Sequence, residues 1–449
     1  MAETTSPTSD VADLSGDSSG LHRIVTDLTT AARPRYQFRP GPANSRLAAA
    51  VLREGRLRPT SDLLADLFTV RPDDGRTRFL PKERLLSDDE KALAVAAFER
   101  AVRAGDMTSG PQIEQFEAAL AGHLGLPEVI ATSSGTHALV IALLAVGVGA
   151  GDEVIIPANS FAATENAVLA INAVPVLADV RSDFTLDPAD VATRITDRTA
   201  AILPVHLYGK LADMPALADL ARGHGLALVE DACQAIGVTG VGAHSDAVAL
   251  SLNPFKNVGL CGKAGAVVTR GAELAARCRV LAYHGFAVGR KNVKTADFGF
   301  NARIDNTLAV IGLDLLPLAH VNGLRRTWLA QRYREALAPL AEQGMLGLPE
   351  FTSDHGWHLF AIQVLDGPSR DGLRDWLAEH ARVETDVFYP VLTHRQHTPL
   401  RNTAFADVRL PVTEQLHERV LHLPLHQHLT LAEQDRTMEG LYAAFRAHR

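Results

Sequence analysis

An α/β fold with a largely parallel sheet covered on both faces is predicted by three features of this 449-residue sequence. Apolar runs of strand length recur between residues 128 and 269: EVIATSS, DEVIIPA, AVPVLADV, TAAILPVHLYG, LALVEDA, DAVALSL and GAVVT. Helical stretches separate most of them, which is how parallel strands are connected. The runs are continuous rather than alternating, as expected of strands buried on both faces. Past about Leu313 the pattern changes. A long helical segment, RRTWLAQRYREALAPLAE, leads into short strands (HLFAIQVL, VETDVFY) and helices (RDGLRDWLAEH), which read as a smaller C-terminal α+β domain.

Composition agrees with a globular enzyme-sized protein: 47% of residues are hydrophobic and 21% charged. A formal charge of −8 argues against a nucleic-acid groove or a binder of anionic membranes. The three cysteines, Cys233, Cys261 and Cys278, have no metal-ligand spacing, so reduced thiols in a cytoplasmic protein are expected and no metal site is assigned. The acidic, polar N-terminus lacks the basic and apolar regions of a signal peptide, and no apolar segment is long enough to span a membrane.

In chain order, residues 1–20 are rich in Ser, Thr, Asp and Gly and are expected to be disordered. Up to residue 78, short helical patterns such as SRLAAAVLREG alternate with Arg/Pro runs. Residues 1–78 therefore read as an N-terminal extension that packs on the body or on a partner. The body starts near Phe79, giving a large domain over 79–313 and a small one over 314–449. Ser87-x-x-Glu90 is a capping box that opens an Ala-rich helix ending at Gly105. A second helix carries Pro111 in its first turn, puts Ile113, Phe116, Leu120 and Leu124 on one face, and stops at Gly125.

The chemistry-bearing residues sit where these runs end. Lys256 follows the buried run of Ala247–Leu252 and the Asn253-Pro254 stop. Open α/β sheets bind ligands at the carboxyl ends of their strands. An amine in a poorly hydrated pocket loses its charge readily and becomes a nucleophile toward carbonyls. Ser133-Ser134-Gly135-Thr136 lies between a strand and a helix, where free N–H groups and hydroxyls form an anion cradle, although an ordinary N-cap has the same composition. Asp231 ends another strand, with Gln234 just beyond, and an acid capping the next helix would look the same. Phe161 follows a third strand, where an aromatic either stacks on a planar ring or packs in the core. Together, a phosphate cradle, an aromatic lid, an acid and a lysine on one rim are what pyridoxal phosphate requires.

The ordered motifs SSGTHAL, GDEVIIPANSFAAT, PVHLYG, VEDACQAIG, SLNPFKNVG, GAVVT and GFNARIDN resemble those of the DegT/DnrJ/EryC1/StrS aminotransferases. These are fold-type-I enzymes that use pyridoxal phosphate to aminate keto-sugars and keto-cyclitols. The resemblance runs from about Phe79 to the C-terminus. It implies a large domain with a mostly parallel seven-stranded sheet sandwiched by helices. It also implies pyridoxal 5′-phosphate as cofactor, with pyridoxamine 5′-phosphate as its aminated form, and L-glutamate or L-glutamine as donor to a keto-sugar, nucleotide-linked or free, or a keto-cyclitol. Lys256 resembles the Schiff-base lysine and proton carrier, Asp231 the pyridinium partner, and Gln234 the contact on the ring's phenolic side. Ser251, Ser134, Gly135 and Thr136 resemble phosphate ligands, and Phe161 the stacking aromatic. Asn301 is similar to the asparagine that reaches the neighbouring subunit's phosphate, which implies a homodimer with shared sites. Lysine at position 256 favours transamination, since relatives that act as sugar 3-dehydratases carry histidine there.

Where the family often reads G-D/E-G-G, this chain has Gly262-Lys263-Ala264-Gly265, and the family's HYP is Phe388-Tyr389-Pro390. A lyase, cyclase or dehydratase using the same cofactor is thus a second reading, and a non-catalytic cofactor-binding protein that works through residues 1–78 a third. For the substrate, Lys263, Arg290, Tyr389 and His358 are the candidate contacts. Arg290 belongs to a basic loop that can clamp an anionic handle or simply be solvated. His417, His422, His426 and His428 have no acid or cysteine companion and are expected at the surface.

Overall fold

The computed structural model describes residues 74–352 and 354–448. The expected extension therefore lies, up to residue 73, outside the described residues. Helix α1 (Asp88–Ala104) opens with the expected capping box, Ser87 Oγ accepting from Glu90 N–H while the Glu90 carboxylate accepts from Ser87 N–H, and closes on left-handed Gly105. Helix α2 (Gln112–Leu124) closes on left-handed Gly125 and buries Ile113, Phe116 and Leu120.

The main sheet follows in chain order. β1 (Glu128–Thr132) leads to α3 (Gly135–Ala145), and β2 (Glu153–Pro157) to α4 (Ala162–Ala170). β3 (Val174–Ala178) leads to α5 (Pro188–Arg194), and β4 (Thr199–Ile202) to α6 (Met214–His224). β5 (Ala227–Asp231), β6 (Ala247–Ser251) and β7 (Gly265–Thr269) complete it, followed by α7 (Ala272–Ala282) and α8 (Asn306–Leu315). The seven strands are ordered β1-β7-β6-β5-β4-β2-β3. Only β7 runs antiparallel to its neighbours. The carboxyl ends of β1, β5 and β6 and the amino end of β7 therefore share one edge. Register aligns Thr132 with Gly265 and Ser251 with Gly265 across three adjacent strands. Every residue of β6 and β7 is buried, in accord with runs apolar on both faces.

The second unit is built on α9 (Ala319–Glu342), which starts six residues before the predicted helical segment, and on β8 (Leu346–Gly347), β9 (Phe360–Val364), α10 (Arg370–Trp376), α11 (Pro411–Arg419), β10 (Val420–Leu423) and α12 (Leu431–Ala447). Its antiparallel sheet is ordered β10-β9-β8. The expected strand VETDVFY is not one: residues 383–389 make only isolated bridges, Val383 with Thr77 and Asp386 with His422. β10 takes the place beside β9 instead. A local alternating pattern does not reveal which of two suitable segments wins that position.

The C-terminal histidines correct a second expectation. His422 and His426 are buried and His417 and His428 half-buried, and no cluster of metal-binding residues occurs among the described residues. They serve packing: His422 stands edge-on to Tyr208 at 4.5 Å, and His428 Nε2 lies 3.1 Å from the buried Glu90 carboxylate. Burial holds His422 at about 4 and His355 at about 3, against an ordinary 6.5, and also depresses His358 and His426. The unfolded chain takes up these protons below pH 6.5 and the folded state refuses them, so stability falls as pH drops from 6.5 toward 4. His422 alone makes the protein about 2 kcal/mol less stable at pH 5 than above pH 7. Thermal melts should show a falling Tm from pH 7 to pH 5, with a shallower fall in His422→Gln. A Tm independent of pH over that window would contradict the assignment.

Candidate active site

The shared sheet edge collects most of the predicted residues. Ser134 is the extended N-cap of α3, and its Oγ accepts from His137 N–H. The N–H groups of Gly135 and Thr136, in the opening turn, have no intrahelical acceptor. The backbone packs unusually closely here: a Cβ on Gly135 would lie 2.9 Å from Ser251 Cβ and 3.0 Å from Cys233 Sγ. A Cβ on Gly265 would lie 2.5 Å from Ser134 C and 2.6 Å from Gly135 N. Two glycines thus let the helix terminus descend onto the strand ends, with Ser251 beneath it. The result is a cradle of backbone donors at a positive helix end, suited to a phosphate.

Asp231 closes β5, is nearly buried, and is held from two sides. Thr164 Oγ1, in the first turn of α4, donates to Oδ2 at 2.8 Å, and Cys233 N–H donates to Oδ1 at 3.2 Å. The orientation of the carboxylate is thereby set before any ligand arrives. Next to it, Glu230 is fully buried against His206 at 2.9 Å, which ties the β5 end to the turn carrying Tyr208. Gln234 is locked by two bonds: Oε1 accepts from Tyr208 N–H at 2.8 Å, and Nε2 donates to the Tyr389 hydroxyl at 2.6 Å. Tyr208 itself is a buried non-glycine residue at φ 59°, a backbone conformation that is kept only where its surroundings over-determine it.

Lys256 lies in a tight turn after β6, its N–H donating to Asn253 O at 2.8 Å while Asn253 Oδ1 accepts from Phe255 N–H. Burial draws its ammonium pKa below the ordinary 10.5, and the nearby Cys233 and Asp231 pull the other way. Asn257 donates to Gly356 O at 2.6 Å, and its Oδ1 meets His358 Nδ1 at 3.2 Å. His358 is buried, and its Nε2 has no hydrogen-bond partner. Beneath it Arg326, itself buried, donates to Trp357 O, His358 O, Leu425 O and Gln427 Oε1, which anchors the segment that presents His358.

Phe161 is 60% exposed at the start of α4, with its ring 6.3 Å from that of Tyr389. The other candidates are more peripheral. Asn301, Lys263 and Arg290 are exposed, and Asn301 bridges Tyr283 through its backbone. Thr164, Tyr208 and Asn257 were not singled out from sequence. Thr164 alone carried a local signal, a hydroxyl one turn into the helix that follows Phe161. The fold thus places the donor set that pyridoxal phosphate needs, namely a cradle which any side chain on Gly135 would fill, a pre-oriented acid, an amide donor and a lysine of lowered pKa, on one edge.

The chain matches the model of the DegT/DnrJ/EryC1/StrS aminotransferase family over residues 88–442. It is 46% identical over 389 residues to a 3-oxo-glucose-6-phosphate:glutamate aminotransferase of Bacillus subtilis (strain 168), covering 86% of this chain and 88% of that protein. It is 38% identical over 362 residues to a dTDP-3-amino-3,4,6-trideoxy-alpha-D-glucose transaminase of Streptomyces venezuelae, covering 79% and 92%. Among solved structures, NtdA from Bacillus subtilis with bound cofactor PMP superposes with a TM-score of 0.85 at 43% identity, covering 94% of this chain and 97% of that one. The residues matched by the family model include the whole sheet edge described above.

Proposed function

The chain belongs to the DegT/DnrJ/EryC1/StrS aminotransferase family and is a pyridoxal-phosphate-dependent sugar aminotransferase, and from that premise we propose that it moves the amino group of L-glutamate to the ketone of a 3-keto-hexose phosphate. What supports the substrate class is the reach of one likeness. The match to the 3-oxo-glucose-6-phosphate enzyme extends over 389 residues, whereas the matches to two dTDP-sugar transaminases stop at 362 and 359.

In this reading Gly135 and Thr136 N–H, with Ser134 and Ser251, hold the phosphate. Asp231, steadied by Thr164 and Cys233 N–H, accepts a hydrogen bond from the protonated ring nitrogen. Phe161 covers one face of the ring. The bound cofactor supplies an electron sink that stabilises negative charge on the carbon losing a proton. Lys256, deprotonated at lower pH than an exposed lysine, would take that proton at Nζ and return it to the carbon on the far side of the intervening nitrogen, serving donor and, in reverse, ketone. His358, Lys263 and Arg290 remain candidates for the sugar. Asn301 reaches a second copy of the chain, so the working unit is a homodimer with shared sites. Its exposure supports this, as does that of Val288, Val293 and Phe298 in the preceding loop. We place the protein in the cytoplasm: its cysteines are unpaired, and among the described residues no helix is long and apolar enough to cross a membrane.

The test is a coupled assay with pyridoxal phosphate, L-glutamate and 3-oxo-glucose 6-phosphate. One 2-oxoglutarate should form per amino-sugar phosphate detected by mass spectrometry. A nucleotide-linked 3-keto-sugar that turns over about ten times faster would overturn the substrate assignment, and a ketone consumed without 2-oxo acid from any donor would restore the lyase reading.

A further inference from the structure

Tyr389 was expected among the substrate contacts, but its surroundings belong to a different group. Gln234 Oε1 accepts from Tyr208 N–H, which forces Nε2 to be the atom facing Tyr389. The Tyr389 oxygen is therefore the acceptor in that 2.6 Å bond, and its own proton points elsewhere. Among the described residues no acceptor takes that proton. Gln234 Nε2 likewise has a second hydrogen beyond the one given to Tyr389.

The ring is held firmly enough to aim that proton. It lies parallel to Tyr208, at 6.3 Å and 13°, and meets the edge of Phe388 at 5.1 Å. Phe161 closes a third side at 6.3 Å. Gln234 and Phe161, its two neighbours across the rim, are the residues read as facing the phenolic edge and one face of the cofactor. Burial first, then Tyr208 and Asp231, push the phenol's pKa well above its ordinary value, so it keeps its proton and acts as a donor. Two adjacent donors, each with a hydrogen that no acceptor among the described residues takes, suit an oxyanion.

We propose that Tyr389 is a cofactor-binding residue whose hydroxyl joins Gln234 Nε2 as a second hydrogen-bond donor to the phenolic oxygen of pyridoxal phosphate. The proposal rests on reading Gln234, Asp231 and Lys256 as the cofactor's polar contacts. A phenol donor at that oxygen stabilises most the form in which negative charge sits there alone, the form that prevails once the neighbouring nitrogen has lost its proton. It therefore lowers the pH at which the lysine-bound cofactor changes colour. It also ties the small unit to the large one at the ring, since Tyr389 and Gln234 are 155 residues apart in the chain.

The experiment is a pH titration of the visible absorption of the pyridoxal-phosphate-loaded protein, wild type beside Tyr389→Phe. The variant keeps the stacked ring and should bind cofactor stoichiometrically. Its colour midpoint should rise by about one pH unit, the size expected for losing a hydrogen bond to a charged oxygen. The KM for the ketone should change less than about twofold while kcat falls. Affinity for 3-deoxypyridoxal phosphate, which lacks the oxygen, should be the same in both proteins, a comparison that stands even if the variant is less stable. An unmoved midpoint together with a tenfold rise in KM for the ketone would return Tyr389 to the substrate and overturn the proposal. A wild-type protein that takes up no cofactor would overturn both this and the reading beneath it.

Discussion

Lys256→Ala is expected to reduce turnover by about ten-thousandfold or more, and to leave a protein that no longer shows the colour of lysine-bound cofactor. Removing the base alone is worth about 10²–10⁴, and loss of the covalent attachment adds to it. Neither Lys263 nor Lys210 is placed to substitute. Lys263 is exposed on a different turn, and Lys210 is engaged with the Asp354 carboxylate. The Asn253-centred turn that fixes the Lys256 backbone does not use its side chain, so the alanine variant should fold and still bind cofactor through the cradle and Asp231. Absorption spectra with and without L-glutamate, paired with a 2-oxoglutarate assay, read the outcome. A coloured, active Lys256→Ala would sink the proposed role of this lysine. In the wild type the depressed lysine pKa puts the rise of activity with pH below the range of an ordinary lysine.

The second large effect is expected from a residue with no chemistry of its own. Gly265→Ala would set a methyl 2.5 Å from Ser134 C and 2.6 Å from Gly135 N, closer than real Cβ contacts come, and against backbone that cannot rotate away. Either β7 or the N-terminus of α3 must shift. Relief of such crowding costs about 1–3 kcal/mol. Because the yielding atoms form the cradle, the loss should appear twice, as a lower Tm and as a cofactor affinity reduced by about a hundredfold, or about 2.7 kcal/mol. Gly223→Ala is the matched control: it lies inside α6 with nothing within 4 Å of the added methyl, and should be neutral or stabilising by up to about 1 kcal/mol. If Gly265→Ala bound cofactor as tightly as wild type, the cradle would not depend on this close approach.

This glycine also bears on the departure noted in the sequence. Where the family often carries an acid, Gly262-Lys263-Ala264-Gly265 has a lysine, and the structure leaves that lysine in solvent while the last glycine is wedged under the helix. The lysine at 263 therefore places its charge in solvent without touching the cradle.

Much of the fold was legible because local pattern decides what an element is. The continuous apolar runs became the seven strands of the main sheet, and Ser87/Glu90 and Gly105 bounded α1 as capping physics requires. The rim followed from topology: strands that run parallel bring their carboxyl ends to one edge, so Asp231, Ser251 and the turn holding Lys256 were placed together by connectivity alone. Tertiary packing decided the rest. Residues 383–389 and 420–423 both suit a strand, yet only the latter pairs with β9, because one place was available and its occupant had to be settled by burial against distant helices. His422 and His426 lie in a polar-looking run whose burial depends on partners hundreds of residues earlier in the chain, Tyr208 among them. The tie between Tyr389 and Gln234, and the steric need for glycine at 265, are contacts between segments with no shared periodicity. The sequence by itself determined the elements, their order and the chemistry at their ends. Which side chains meet across those ends was decided by the folded structure, because close packing is a property of the whole interior and leaves no trace in any single stretch.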